Sequence, residues 1–258
     1  MKHAIDVGPF DELADPRVLA DLAAAAEERG WDGFFVWDHI AYRPPVQAVA
    51  DPWVALAAVA SATSRLRIGP MVTPLARRRV HKLARETVTL DLLSSGRLTL
   101  GVGLGSARNG EFGPFGEIDD PRERAKLLDA GLEELVRYWA GEFQPVPVQQ
   151  PRIPVWVAGE WPNRRPVRRA LRWDGLYPIG LPGPEALAEL VGEIRPSRPP
   201  AIRSTWSWTC RRATIPARGR GPGRPGPSPM SAATPAWPGC ARSSTPGPPG
   251  ADRAGRST

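Results

Sequence analysis

Sulfur is scarce in this 258-residue chain: it holds two cysteines, Cys210 and Cys240, in no metal-ligand spacing. That excludes a disulfide framework and a cysteine-built zinc site as the device that organises the fold. No apolar run reaches the roughly 18 residues needed to cross a bilayer, so no membrane partner is expected. The opening stretch MKHAIDVGPF lacks the apolar core of a secretory signal, and the expected compartment is the cytoplasm. Beyond residue 195 the chain also lacks lysine, leucine, valine, phenylalanine and tyrosine. Such a segment buries too little apolar surface to offset its ordering entropy, so residues 196–258 are expected to form a disordered tail.

The net charge of +7 belongs to that tail. Residues 1–195 carry 24 Lys and Arg against 26 Asp and Glu, whereas residues 196–258 carry 10 Arg against Asp252 alone. An arginine-rich arm raises the question of nucleic acid. The arm has neither regularly interleaved aromatics nor an RGG repeat, so nucleic acid is not an expected partner. Its wealth of Arg, Pro, Gly, Ser, Ala, Thr and Trp is what a GC-rich gene yields out of frame. Tryptophan has the single codon TGG. With G-ending Thr and Ser codons, Ser204-Thr205-Trp206-Ser207-Trp208 reads Val-Asp-Val-Val-Val one base earlier. That is a buried-strand pattern, and it places a frameshift between about Ile194 and Arg203.

What the first 195 residues do have is a repeat. Apolar strands begin near residues 4, 33, 67 and 98, at a spacing of about thirty residues that suits a repeated βα unit. Helices follow, and three of them open on one signal, an Asp N-cap before a Pro at the first helical position: Asp15-Pro16, Asp51-Pro52 and Asp120-Pro121. A fifth strand is expected at Ile153–Ala158, a basic helix at Arg164–Arg172, a sixth strand at Leu176–Ile179 and a sixth helix at Pro184–Ile194. The length suits one α/β barrel or two smaller domains. Six βα units in residues 1–195 give an incomplete (β/α)8-type barrel.

Ligands of a parallel barrel bind where the C-terminal strand ends meet. That rule selects Phe10, Trp37, Asp38, His39, Val72, Thr73, Gly103, Gly105, Ser106, Gly159, Glu160 and Trp161. Asp38-His39 is the sharpest signal, because imidazole exchanges protons near neutral pH and a neighbouring carboxylate can orient it. The plainer alternative is a carboxylate capping the next loop beside a core histidine. Gly101-Val102-Gly103-Leu104-Gly105 departs from the dinucleotide fingerprint, since Ser106 and Arg108 stand where its third glycine belongs. Close backbone packing explains those glycines equally well. Gly159–Arg168 joins a strand end to an arginine-bearing helix start, where a phosphate could sit. Asn163, Arg164 and Arg165 are its candidates.

The runs GFFVWDH, LARETVTLDLLSSGRLTLGVGLG, PVWVAG and RWDG, taken together over Ala4–Arg195, resemble the luciferase-like flavin-dependent oxidoreductases. The resemblance implies a TIM barrel using FMN or the deazaflavin coenzyme F420 and acting on a small organic substrate; a homodimer is compatible with it. It implies that Asp38 and His39 lie against the coenzyme ring, and that Trp37, Thr73, Gly103, Gly105, Ser106, Gly159, Asn163 and Arg164 bind the coenzyme. A bulge with a non-prolyl cis peptide before Thr73 also follows from it. A catalytically inert barrel remnant is the alternative implied by the tail.

Overall fold

The computed structural model describes residues 2–197 and 208–212. All three Asp-Pro signals start helices. The Asp15 side chain accepts from Arg17 N at the head of α1 (Pro16–Glu28), and Asp51 accepts from Trp53 N and Val54 N at the head of α2 (Pro52–Ala62). Asp120 accepts from Arg122 N at the head of α4 (Pro121–Arg137), which follows α3 (Val80–Leu93). Each aspartate satisfies donors that the first turn leaves without a partner, while proline supplies the matching φ. The later helices are α5 (Arg164–Ala170) and α6 (Pro184–Ser197).

Strands alternate with these helices: β1 (Lys2–Val7), β2 (Gly33–Val36), β3 (Arg67–Pro70), β4 (Thr73–Pro74), β5 (Leu100–Gly103), β6 (Val155–Glu160), β7 (Gly175–Ile179) and β8 (Trp208–Arg212). All pair in parallel, in the orders β3-β2-β1-β8 and β4-β5-β6-β7. The two rows join at Ile68, which donates to Arg97 O at 3.1 Å and accepts from Thr99 N at 2.8 Å. Gly69 permits this approach, because a Cβ there would lie 1.9 Å from Thr99 O. The expected third strand is thus broken into β3 and β4, with a cis Met71–Val72 peptide between them, as the family resemblance implied.

The result is the α/β fold of an incomplete TIM-type barrel with six βα units. Alternation along the strands sorts the core into two layers. Phe34 faces outward with Leu19, Leu56 and Val59 of the helices, whereas Phe35 faces inward with Ala4, Met71 and Trp156. In the interior Tyr177 of β7 donates to Asp6 of β1 at 2.5 Å, joining residues 171 positions apart.

One sequence expectation needs correction. The tail was expected to lack structure from residue 196, yet α6 runs to Ser197 and Trp208–Arg212 pair along β1 from Lys2 to Asp6. The reason is local: an edge strand offers a row of unpaired N–H and C=O groups, which any extended segment can meet with its backbone alone. The remainder of the tail, including most of Ser204–Trp208, lies outside the described residues. No helix among the described residues is long and apolar enough to cross a membrane.

Candidate active site

The chain leaves β2 at Trp37, whose N–H donates to Val7 O at 2.9 Å. Asp38 and His39 follow, and consecutive side chains leaving a strand diverge. Asp38 turns inward and is 2 % exposed. Its Oδ2 accepts from Thr73 Oγ1 and from Arg78 Nη2, both at 2.8 Å, while Oδ1 accepts from Arg77 Nη2 at 3.0 Å. His39 turns the other way, and its side chain is 21 % exposed. The carboxylate that orients His39 is therefore Glu111 and not Asp38: His39 Nδ1 lies 2.8 Å from Glu111 Oε2.

Glu111 is wholly buried in the loop between β5 and α4. Its Oε1 accepts from Ile40 N at 2.8 Å and from Arg77 Nη1 at 3.0 Å. Burial alone would raise this carboxyl. The bond from His39, its charge, the Ile40 N–H and the charge of Arg77 outweigh burial and hold Glu111 below its ordinary value. An ionised carboxylate only accepts, so Nδ1 of His39 is the donor, and in the neutral ring the lone pair is left on Nε2. The imidazole is bordered by Phe10, Trp37 and Tyr42, with ring centroids 5.9, 6.0 and 5.0 Å away. The arrangement can take up or release a proton at Nε2 beside an apolar, aromatic wall.

The structure thus gathers Trp37, Asp38, His39 and Thr73 into one cluster. It gives the glycines packing duties. A Cβ on Gly103 would stand 2.9 Å from Val72 Cγ2, and one on Gly105, where φ is +71°, would stand 2.6 Å from Phe112 Cζ. Ser106 caps a short 3-10 turn, its Oγ accepting from Arg108 N at 3.3 Å. On β6, Gly159 lies under Pro166, which a Cβ would approach to 2.7 Å. Asn163 caps α5 through Arg165 N, and Arg164 pairs with Glu189 and Glu193 of α6 at 2.5 and 2.9 Å. No group of three or more His, Cys, Asp or Glu among the described residues is placed to hold a metal ion.

Sequence reasoning missed Arg77, Arg78, Glu111 and Tyr42. The run Arg77-Arg78-Arg79 just after a strand end was the available signal, because a buried carboxylate such as Asp38 requires cations nearby. Glu111 carried no such sign, since its loop gives no periodicity to read.

The family described as luciferase-like monooxygenase matches residues 3–205. An F420-dependent glucose-6-phosphate dehydrogenase of Kineococcus radiotolerans is 34 % identical over 134 residues, covering 49 % of this chain and 38 % of that protein. A putative coenzyme F420-dependent oxidoreductase of Mycobacterium tuberculosis is 32 % identical over 202 residues, covering 75 % and 53 %. The chain therefore spans about two fifths to one half of these relatives' own length. Among solved structures, the oxygenating constituent of 3,6-diketocamphane monooxygenase from Pseudomonas putida, in complex with FMN, is alike in fold. It is 17 % identical, with a TM-score of 0.65 over 76 % of this chain and 62 % of that one. With the βα order and the strand-end cluster in place, the match over residues 3–205 makes this chain a member of the luciferase-like monooxygenase family.

Proposed function

We propose that the barrel is a coenzyme-dependent oxidoreductase that passes hydride between a small organic substrate and the deazaflavin coenzyme F420. The observation that carries this reading is His39, held by buried Glu111 and bordered by aromatic rings at a strand end. F420 is preferred because the two relatives above, at 34 % and 32 % identity, are both named for it. FMN stands second, because the protein that holds it is alike in fold only.

The donor set suits a planar ring with polar edges: apolar faces from Phe10, Trp37 and Tyr42, and one imidazole to meet a heteroatom. When bound, the coenzyme supplies the hydride chemistry. The chain supplies the rest. Trp37, Thr73, Gly103, Gly105 and Ser106 shape the ring's seat, and Asp38 holds Thr73 and the arginines in place. His39 moves a proton at Nε2 while Glu111 fixes its Nδ1. Gly159, Asn163 and Arg164 are assigned to the phosphate side. Arg164 serves there only by leaving Glu189 and Glu193, so exposed Arg165 takes the larger share.

Titrating F420 and FMN into the purified chain, followed by coenzyme fluorescence, tests the reading. Saturable binding of F420 is expected, with glucose 6-phosphate as the first reductant tried. The His39→Ala variant should bind the coenzyme yet fail to reduce it. No saturable binding of either coenzyme overturns the proposal.

We read residues 1–195 as the barrel domain and 196–258 as translated out of frame. The support is the change of composition and the end of the family match at residue 205. If it holds, an inert remnant of an active enzyme is the second reading of this chain, and coenzyme binding without turnover would favour it. Resequencing the coding DNA from Glu185 onward decides it: a single-base correction that restores apolar strands favours the remnant, and an intact frame removes it.

A further inference from the structure

Arg77 occupies the turn that follows β4, and its side chain is 4 % exposed. Its two terminal nitrogens face different loops. Nη2 donates to Asp38 Oδ1 at 3.0 Å and to the Asp38 carbonyl at 3.3 Å, in the loop after β2. Nη1 donates to Glu111 Oε1 at 3.0 Å, in the loop after β5. The other oxygen of Glu111 holds His39. Arg78, by contrast, bonds Asp38 alone among the described residues. Two arginines face two buried carboxylates, but only one of them spans both. A planar guanidinium fork can do this, whereas an ammonium is a single point.

We propose that Arg77 is a positioning residue: its fork ties Glu111 to Asp38, and through Glu111 it keeps His39 in the one tautomer that leaves Nε2 with the lone pair. The proposal rests on the reading of His39 as the proton-moving group. With Arg77 gone, the Glu111 carboxylate keeps the Ile40 N–H but loses its lateral anchor, so the His39 ring is no longer held to one tautomer. Asp38 would still be held by Thr73 and Arg78.

Long-range 1H–15N correlation spectra of the full chain, without coenzyme, test this. The chain has three histidines, and the His39 signals are those missing from His39→Gln. Wild type should show His39 as the Nδ1–H tautomer. Arg77→Gln should lose that single-tautomer signature, and so should Arg77→Lys, which keeps the charge but not the fork. Arg78→Gln should retain it, although it too removes a buried arginine. A wild-type signature unchanged in both Arg77 variants overturns the proposal, as does an equal loss in Arg78→Gln. Should Arg77→Gln fail to fold, Arg77→Lys decides alone. No coenzyme enters the measurement, so failure of F420 and FMN to bind leaves this result standing, and the reverse also holds.

Discussion

Glu111 Oε2 and His39 Nδ1 stand 2.8 Å apart although 72 residues separate them in the chain. If the pair acts in proton transfer, Glu111→Ala leaves the ring in place but without its anchor. Turnover should fall roughly 10²-fold, the lower end of what general acid–base catalysis contributes, while coenzyme affinity changes little. Steady-state rates set beside a binding titration separate the two. Equal losses in both would make Glu111 a binding residue instead.

Glu27, in the last turn of α1, gathers the loop before β3, accepting from the backbone N–H groups of Ser64, Arg65 and Leu66 at 3.0, 2.6 and 2.9 Å. Burial works to raise its carboxyl, but these bonds outweigh it and hold the group below its ordinary value of 4.5. A depressed folded-state value means stability that is fully present above the unfolded pKa and is lost as pH falls through the folded one. Thermal melts of wild type should therefore worsen below about pH 4.5, and Glu27→Gln should start lower at neutral pH and show a shallower acid decline. Parallel curves for the two would refute the assignment.

Two glycines separate steric need from conformational need. At Gly69 a Cβ meets backbone oxygen at 1.9 Å, whereas Gly30, with φ at +78°, has nothing within 4 Å. Gly69→Ala should reach or exceed the upper end of the roughly 1–3 kcal/mol cost of overpacking. Gly30→Ala should cost only about 1–2 kcal/mol for the left-handed backbone. Denaturant titrations of both variants would show the order, and an inverted order would count against the close strand approach at Thr99.

The three capping aspartates are graded by what they hold. Asp51 accepts from two backbone donors, Asp15 and Asp120 from one each. Replacement by Ala should cost about 1 kcal/mol at Asp15 or Asp120, and up to about 2 kcal/mol at Asp51. Chemical unfolding of the three variants ranks them directly.

These cases also mark how far the sequence can be read. The Asp-Pro starts were legible because a cap and its helix lie within three residues of one another. The strands were legible because burial on both faces leaves an apolar run, as in Gly33–Val36, whose four residues are all buried. Asp38 and His39 could be placed at a strand end, but their partners could not. Which carboxylate meets His39 depends on how the loop after β5 crosses the one after β2, a tertiary fact with no periodic trace. For the same reason Arg164 read as a phosphate ligand, while its ion pairs with two glutamates of the next helix left no trace in the sequence. The pairing of Trp208–Arg212 with β1 was illegible for another cause: backbone bonds on an open edge ask little of side chains.

The bond from Tyr177 to Asp6 gives the row of strands something a closed sheet would not need. Followed from β7 through β5, β3 and β2 to β1, the strands trace an arc, and this bond is its chord. An arc whose chord is fixed has its curvature fixed as well. The spacing between the loops that carry His39 and Glu111 is then governed by a phenol and a carboxylate inside the barrel.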